Sequence, residues 1–387
     1  MKWSFLTSAA GALLALTLLG AFPAGAETGS ISETGVPTAN SQPLSIVTGP
    51  DGNLWFTEFR GNKIGRLAPD GTVLAEYPIP TTVPPTAANP TGSSQPDEID
   101  VGPDGNLWFA EVLGNRIGRI TPNGVITEFL VPTAGSRPTV IAPGPDGNLW
   151  FTERGTAAAP GNKIGRITPS GTITEFLLPA GSRPLGITAG PDGNVWFSLS
   201  AANKVGRIDP QSEAIVLFDV PTAGALPFEM TGGPDGNVWF TEPLANQVAR
   251  VRPDGAITEF PLPGPGRGPN TIRRGPDPNG AKDCAYQRQA LGESVFVQRY
   301  GTFGNCVARL ATTQTLWFTE TQGNAIGQIT TAGVVFEYAI PTPASAPIGV
   351  AEGPDGALWF AENGANKIGR LDVQSVRQPA RPGVPAD

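Results

Sequence analysis

Gly144-Pro145-Asp146-Gly147-Asn148-Leu149-Trp150-Phe151-Thr152-Glu153 is the stretch that decides the fold of this chain. Pro-Asp-Gly-Asn is turn chemistry: proline presets one backbone angle, and glycine takes left-handed angles without steric cost. The five residues after it are dominated by strand formers. Reading outward, Pro138 to Ile141 begins a strand before the turn. Asn162-Lys163-Ile164-Gly165-Arg166-Ile167 gives a third strand, Thr168-Pro169-Ser170-Gly171 a second turn, and Ile173-Thr174-Glu175-Phe176-Leu177-Leu178 a fourth strand. Four short strands joined by tight turns make a propeller blade when the unit repeats.

The unit does repeat, and a fixed period is the sequence signature of a repeat architecture. Leu/Val-Trp-Phe occurs seven times, at Trp55, Trp108, Trp150, Trp196, Trp239, Trp317 and Trp359. Successive tryptophans are 53, 42, 46, 43, 78 and 42 residues apart. The prediction is an all-β, seven-bladed β-propeller with four antiparallel strands per blade. The spacing of 53 reflects a long loop, Thr81 to Gln95, and that of 78 an insert assigned to 278–312. After Trp359 the repeat stops at its third strand, Asn366 to Leu371. The missing strand stands at the other end of the chain, where Ile31-Ser32-Glu33-Thr34-Gly35-Val36-Pro37 matches Ile126 to Pro132. This N-terminal strand is predicted to close the last blade, which leaves only short, protected sheet edges. The propeller is assigned to 27–372, and 373–387, with Pro379, Pro382 and Pro385, to a flexible tail.

Composition narrows the function classes. Eight Trp and 18 Phe supply a core that a disordered chain lacks, while 50 Gly and 41 Pro suit many turns. The formal net charge of −8 argues against a nucleic-acid partner, since no basic excess exists to neutralise phosphates. The chain has no histidine, which excludes a His-dependent triad, a His metal ligand and imidazole acid–base chemistry. Residues 1–26 read as a signal peptide: Lys2 precedes an apolar run from Phe5 to Phe22, and Ala24-Gly25-Ala26 forms a small-residue cleavage site. An uncleaved anchor is the alternative. The expected location is secreted or periplasmic, with no membrane span after cleavage. Export makes a disulfide the default for Cys284 and Cys306, the only two cysteines.

Gly49–Glu58, Gly161–Ile167 and Ile173–Pro179 resemble the repeat units of the virginiamycin B lyase (streptogramin lyase) family. The resemblance covers about residues 31–372 and implies a seven-bladed propeller. The family's lyases open the ester ring of streptogramin B antibiotics by elimination, with Mg²⁺ stabilising the developing enolate and a histidine as base. The resemblance therefore implies Mg²⁺ as the cofactor candidate. The family's histidines follow the proline that begins the first strand of blades six and seven. The matching residues here are Asn270, after Pro269, and Ile348, after Pro347. A carboxylate that precedes the seventh-blade proline falls on Ala346, and a last-blade carboxylate is matched by Glu362. Neither Asn270 nor Ile348 takes a proton at neutral pH.

Internal repetition separates structural residues from candidates for function. The tryptophans are predicted to pack between blades. The third-strand asparagine, present in all seven blades, is expected to bond backbone in the preceding turn. Glu58, Glu111, Glu153, Glu242, Glu320 and Glu362 recur after Trp-Phe, as do Arg66, Arg119, Arg166, Arg207, Arg250 and Arg370 in the third strand. These are expected to satisfy one another or solvent; a cation-binding ring of glutamates is the alternative. First-strand positions lining the tunnel differ between blades. Asp97, Glu98, Glu229 and Asn270 are the polar exceptions there. Glu98 and Glu229 are the metal-ligand candidates, because hard cations prefer oxygen. Asp97 and Asn270, with Arg137 and Arg183 from two Gly-Ser-Arg-Pro loops, are the ligand-binding candidates. Glu229 and Glu362 are the candidate substitute bases. The leading expectation is a monomeric propeller that binds a small molecule or peptide at the tunnel mouth. The alternatives are a C–O lyase with a substituted base and an extracellular scaffold that uses the insert.

Overall fold

The computed structural model describes residues 29–156, 160–276 and 315–375. The predicted signal peptide, both cysteines, the 278–312 insert and residues 376–387 lie outside these.

The described residues form seven four-stranded antiparallel sheets and one short 3-10 turn, Val373–Ser375. Blade one comprises β2 (Pro43–Thr48), β3 (Leu54–Glu58), β4 (Lys63–Leu67) and β5 (Val73–Pro78). The remaining blades repeat that order through β28 (Lys367–Asp372). The expected closure is present. β1 (Ser30–Gly35) pairs antiparallel with β28, in register from Ser30↔Asp372 to Gly35↔Lys367, and becomes the outer strand of blade seven. The first strand of each blade neighbours the first strands of the blades beside it, so seven inner strands surround the central tunnel. Val373 is fully buried in the core of the last blade, so the packed ring reaches one residue into the segment assigned to the tail.

The core lies between blades. Trp55 packs with Leu107, Phe109 and Ile120 of blade two, and the other tryptophans repeat this toward their own next blade. All seven are at most 1 % exposed. Burying seven indoles at successive junctions supplies a large share of the apolar area lost from water. A buried indole N–H needs an acceptor, and the turn supplies it. Asp51 Oδ1 accepts from Trp55 Nε1 at 3.0 Å, and Asp104, Asp146, Asp192, Asp235 and Asp355 do the same for their own tryptophans. Gly52 completes this turn with φ +72°. Gly65 answers a different need, because a Cβ there would lie 2.1 Å from Phe56 Cζ.

The recurrent arginines and glutamates do not meet each other, contrary to expectation. Five of the six third-strand arginines run toward their turn aspartates, as Arg207 Nη1 does to Asp192 Oδ2 at 3.0 Å and Arg250 Nη1 to Asp235 Oδ2 at 3.1 Å, whereas Arg166 pairs with Glu213 at 3.3 Å. They also lie over the tryptophans, as Arg250 does over Trp239 at 5.3 Å. Blade six differs among the described residues, and Asp277 of its turn lies outside them. Its arginine is replaced by Gln328, and Trp317 Nε1 donates to the Pro276 carbonyl at 3.0 Å. The third-strand asparagines also bond elsewhere than expected. Asn62 Nδ2 donates forward to the Ile79 and Thr81 carbonyls, and its Oδ1 accepts from Ser94 N at 2.7 Å in the loop leading to the next blade. The preceding turn is not its partner.

Candidate functional site

The first strands place the variable residues. In six blades the register shifts just after the initial proline, as between Pro96 and Ile99 in β6 (Pro96–Val101). Such a bulge re-aims the side chains beside it. Blade five differs: β18 covers only Met230–Gly232, so Glu229 precedes its strand.

A buried ionic layer crosses the tunnel. Arg273, from β22 (Pro269–Gly275) in blade six, bonds Glu98 of blade two through Nη2. Its Nη1 reaches Glu229 Oε2 of blade five at 3.3 Å. Glu98 is 7 % exposed and Glu229 4 %. Burial would lower the Arg273 pKa, but Glu98, Glu229 and Asp100 outweigh it and raise it. Burial pushes Glu229 upward; Arg273 opposes this and Glu98 adds to it. Burial likewise raises Asp100 to about 6, with Arg273 opposing, and Asp97 to about 7, with Arg154 opposing and Glu98 adding. Sequence reasoning missed Arg273, Arg154 and Asp100. The signal available was that Arg273 occupies the tunnel-facing position held by Val47, Ala142, Thr188, Thr231 and Ala351 in other blades.

Arg273 divides the tunnel. On the side of the turns between first and second strands lies a cavity of about 270 Å³, lined by Ile46, Glu98, Asp100, Arg273, Val350 and Glu352 among others. On the other side is the mouth. There the residues after the initial prolines are Leu44, Asp97, Thr139, Leu185, Phe228, Asn270 and Ile348. Several are fixed through their carbonyls to the preceding blade, as when Thr241 Oγ1 donates to Asn270 O at 2.6 Å and Thr319 Oγ1 to Ile348 O at 2.7 Å. The structure thus brings Glu98 and Glu229 together on Arg273, sets Asp97 beside Arg154, and leaves Asn270 and Ile348 at the mouth. Arg137 and Arg183 occupy the left-handed region immediately before their prolines, with φ +53° and +50°.

Glu362 belongs to a different constellation. Like its five equivalents it is fully buried, and neither carboxyl oxygen has a hydrogen bond of good geometry among the described residues. Each of the six lies beside the fourth-strand glutamate of its own blade: Glu76, Glu128, Glu175, Glu259, Glu337 and Glu33 in blade order. Burial raises Glu58, Glu111, Glu153 and Glu242 to about 8 and Glu362 to about 7, with the neighbouring glutamate adding in each case. The fourth-strand glutamate then latches the blade before it. Thr38 N donates to Glu76 at 3.0 Å, Thr133 N to Glu175 at 3.0 Å, and Thr342 N to Glu33 at 3.0 Å. Blade four carries an internal control. Leu199 and Leu217 replace both glutamates, and Ala180 stands where five other loops have threonine. At the junction of blades five and six, Gly264 replaces the threonine, and Arg267 Nη2 bonds Glu337 at 2.7 Å instead.

The Mg²⁺ expectation is tested by the donor atoms present. Ala346 and Ile348 offer no side-chain donor, and Glu362 is sealed inside its blade. A guanidinium already bridges Glu98 and Glu229. Among the described residues no three Asp, Glu, Cys or His side chains group as a metal site. The residues do not fit the ion at either place.

The sequence profile of the virginiamycin B lyase family matches residues 86–281 and 295–378. The chain belongs to this family. Among solved structures it is similar to a streptogramin B lyase, at 30 % identity and TM-score 0.72, covering 90 % of this chain and 98 % of that one. It is also similar to a catalytically inactive histidine-to-alanine variant of virginiamycin B lyase from Staphylococcus aureus with quinupristin. That likeness has 32 % identity, a TM-score of 0.71, and covers 89 % of this chain and 99 % of the other. The virginiamycin B lyase of Nocardia farcinica is 33 % identical over 86 residues, which are 22 % of this chain and 26 % of that protein. This family member thus spans about a quarter of the curated relative it matches there. No helix among its described residues is long and apolar enough to cross a membrane.

Proposed function

We propose that this family member is an exported, ligand-binding propeller that works without the family's histidine-dependent elimination. One observation carries the reading: the mouth positions after Pro269 and Pro347 hold Asn270 and Ile348, in a chain without any histidine. Around them the mouth presents half-buried Leu44, Phe228 and Ile348 with Asp97 and Asn270, while Leu185 and Thr139 are buried behind it. That mixture of apolar wall and few polar groups suits a small molecule or peptide with an apolar body. Glu229 has the raised pKa a substitute base needs, but it is 4 % exposed and bound to Arg273. Glu362 shares its buried setting with five equivalents.

The test incubates purified mature protein with a streptogramin B depsipeptide, with and without Mg²⁺, followed by chromatography and mass spectrometry. Calorimetry on the same pair reads binding. Elimination leaves the mass unchanged, whereas hydrolysis adds one water. The expected result is no conversion. A Mg²⁺-dependent product of unchanged mass refutes the proposal and shows that another base has replaced the histidine.

A further inference from the structure

Most strand arginines of this protein have fixed partners, but Arg137, Arg154 and Arg183 on the mouth face do not. Their side chains make no hydrogen bond or ion pair among the described residues, and Arg183 Nε is buried without an acceptor. The backbone gathers them. Arg154 N donates to Arg137 O at 3.3 Å, at the end of β11 (Leu149–Gly155). Arg183 N donates to Gly161 O at 2.9 Å, in β12 (Pro160–Ile167), the strand paired with β11. The extended hairpin of blade three therefore joins the loops that begin blades three and four.

The fold does not ask for arginine at these places. The residue before the initial proline takes the same left-handed conformation in every blade, and Gln42, Gln95, Leu226, Gly268 and Ala346 fill it elsewhere. The positions equivalent to Arg154 hold Phe59, Val112, Ser200, Pro243, Thr321 and Asn363. Three guanidiniums on adjacent loops of a chain with net charge −8 concentrate positive charge against the general balance. Guanidinium forks match oxyanions in geometry as well as charge.

We infer that the mouth above blades three and four binds an oxyanionic group, carboxylate or phosphate, between Arg137, Arg154 and Arg183. The inference rests on the ligand-binding reading above and specifies the charge of the ligand. Asp97 is the nearest internal anion, within electrostatic reach of Arg154 without an ion pair to it. Its other charged neighbours are Glu98 and Glu229, and Arg273 stands behind them. An anion on Arg154 adds negative charge beside Asp97 and favours its protonated form. Binding therefore takes up a proton and tightens as pH falls.

The test is calorimetry on the full mature chain at low ionic strength, with citrate and inorganic phosphate as separate probes at pH 7. Sulfate, whose charge is constant over the range, is titrated at pH 6 and pH 8. Saturable binding of citrate or phosphate is expected, and whichever binds more tightly identifies the class. The triple variant Arg137→Gln, Arg154→Gln, Arg183→Gln should weaken it at least ten-fold while keeping its thermal unfolding midpoint. Asp97→Asn should tighten sulfate binding and abolish its pH dependence. No saturable binding of any probe at millimolar concentration overturns the inference, as does undiminished binding to the triple variant. Depsipeptide binding with no anion binding overturns this assignment alone. Depsipeptide conversion overturns the non-catalytic reading, and Arg-dependent anion binding would still support this one.

Discussion

Glu58→Gln is a stringent test of the paired carboxyls. Glu58 is fully buried beside Glu76, and burial lifts its pKa from 4.5 to about 8. Its folded state therefore holds a proton that the unfolded chain releases above pH 4.5. The sign follows from linkage: the contribution of a raised acid is complete below its unfolded pKa and is lost as pH climbs toward the folded value. One extra bound proton costs about 1.4 kcal/mol of stability per pH unit over that window. Glutamine keeps the shape and neutrality of the protonated acid and has nothing to lose. Between pH 5 and pH 7 the unfolding free energy of the variant should thus rise by roughly 3 kcal/mol relative to wild type, then level off beyond pH 8. Urea titrations of both proteins at pH 5, 6, 7 and 8 read this difference. A difference that does not change with pH would refute the argument, because Glu58 would then be ionised in the folded ring. Leu199 and Leu217 already show that the ring accepts an uncharged pair at this site.

Three further outcomes are expected. Asp235→Asn weakens charge-assisted bonds to Trp239 Nε1 and Arg250, at 3.0 and 3.1 Å, and should cost about 1–2 kcal/mol in urea unfolding at pH 7. The turn aspartates have lowered pKa values, with burial opposed by bonds to tryptophan and arginine, so their contribution disappears as pH falls below 3.8. With the raised glutamates acting above 4.5, thermal unfolding midpoints should peak between about pH 4 and pH 5; a maximum near pH 8 would contradict this. Arg273→Met leaves Glu98 and Glu229 buried without their cation and should cost about 3–5 kcal/mol in urea unfolding at pH 7.

The fold was legible because every blade states it again. A tryptophan that recurs with its turn aspartate marks a junction before any coordinate is known, and the orphan strand around Glu33 announces the closure. Partners were less legible. Glu58 and Arg66 recur together, yet Glu58 turns to Glu76 while Arg66 meets Asp51. Strand alternation and blade stacking set those directions, and a repeat count does not contain them. The absences were informative once the partners were known. Ala180, Leu199 and Leu217 look like unrelated drift in the sequence, but they are three sides of one missing polar latch.

The same division holds at the site. Sequence alone determined seven blades, the strand that closes them, and a mouth without the family's histidines. It also marked Asp97, Glu98 and Glu229 as exceptions to the blade pattern. Tertiary structure decided what those exceptions do. Glu98 and Arg273 are 175 residues apart in the chain, yet ring closure sets them across one tunnel within bonding reach. The carboxylates that read as cation ligands therefore hold an internal guanidinium. Proximity across a closed ring depends on how many blades close it and on where each strand bulges. No local stretch of sequence carries that information.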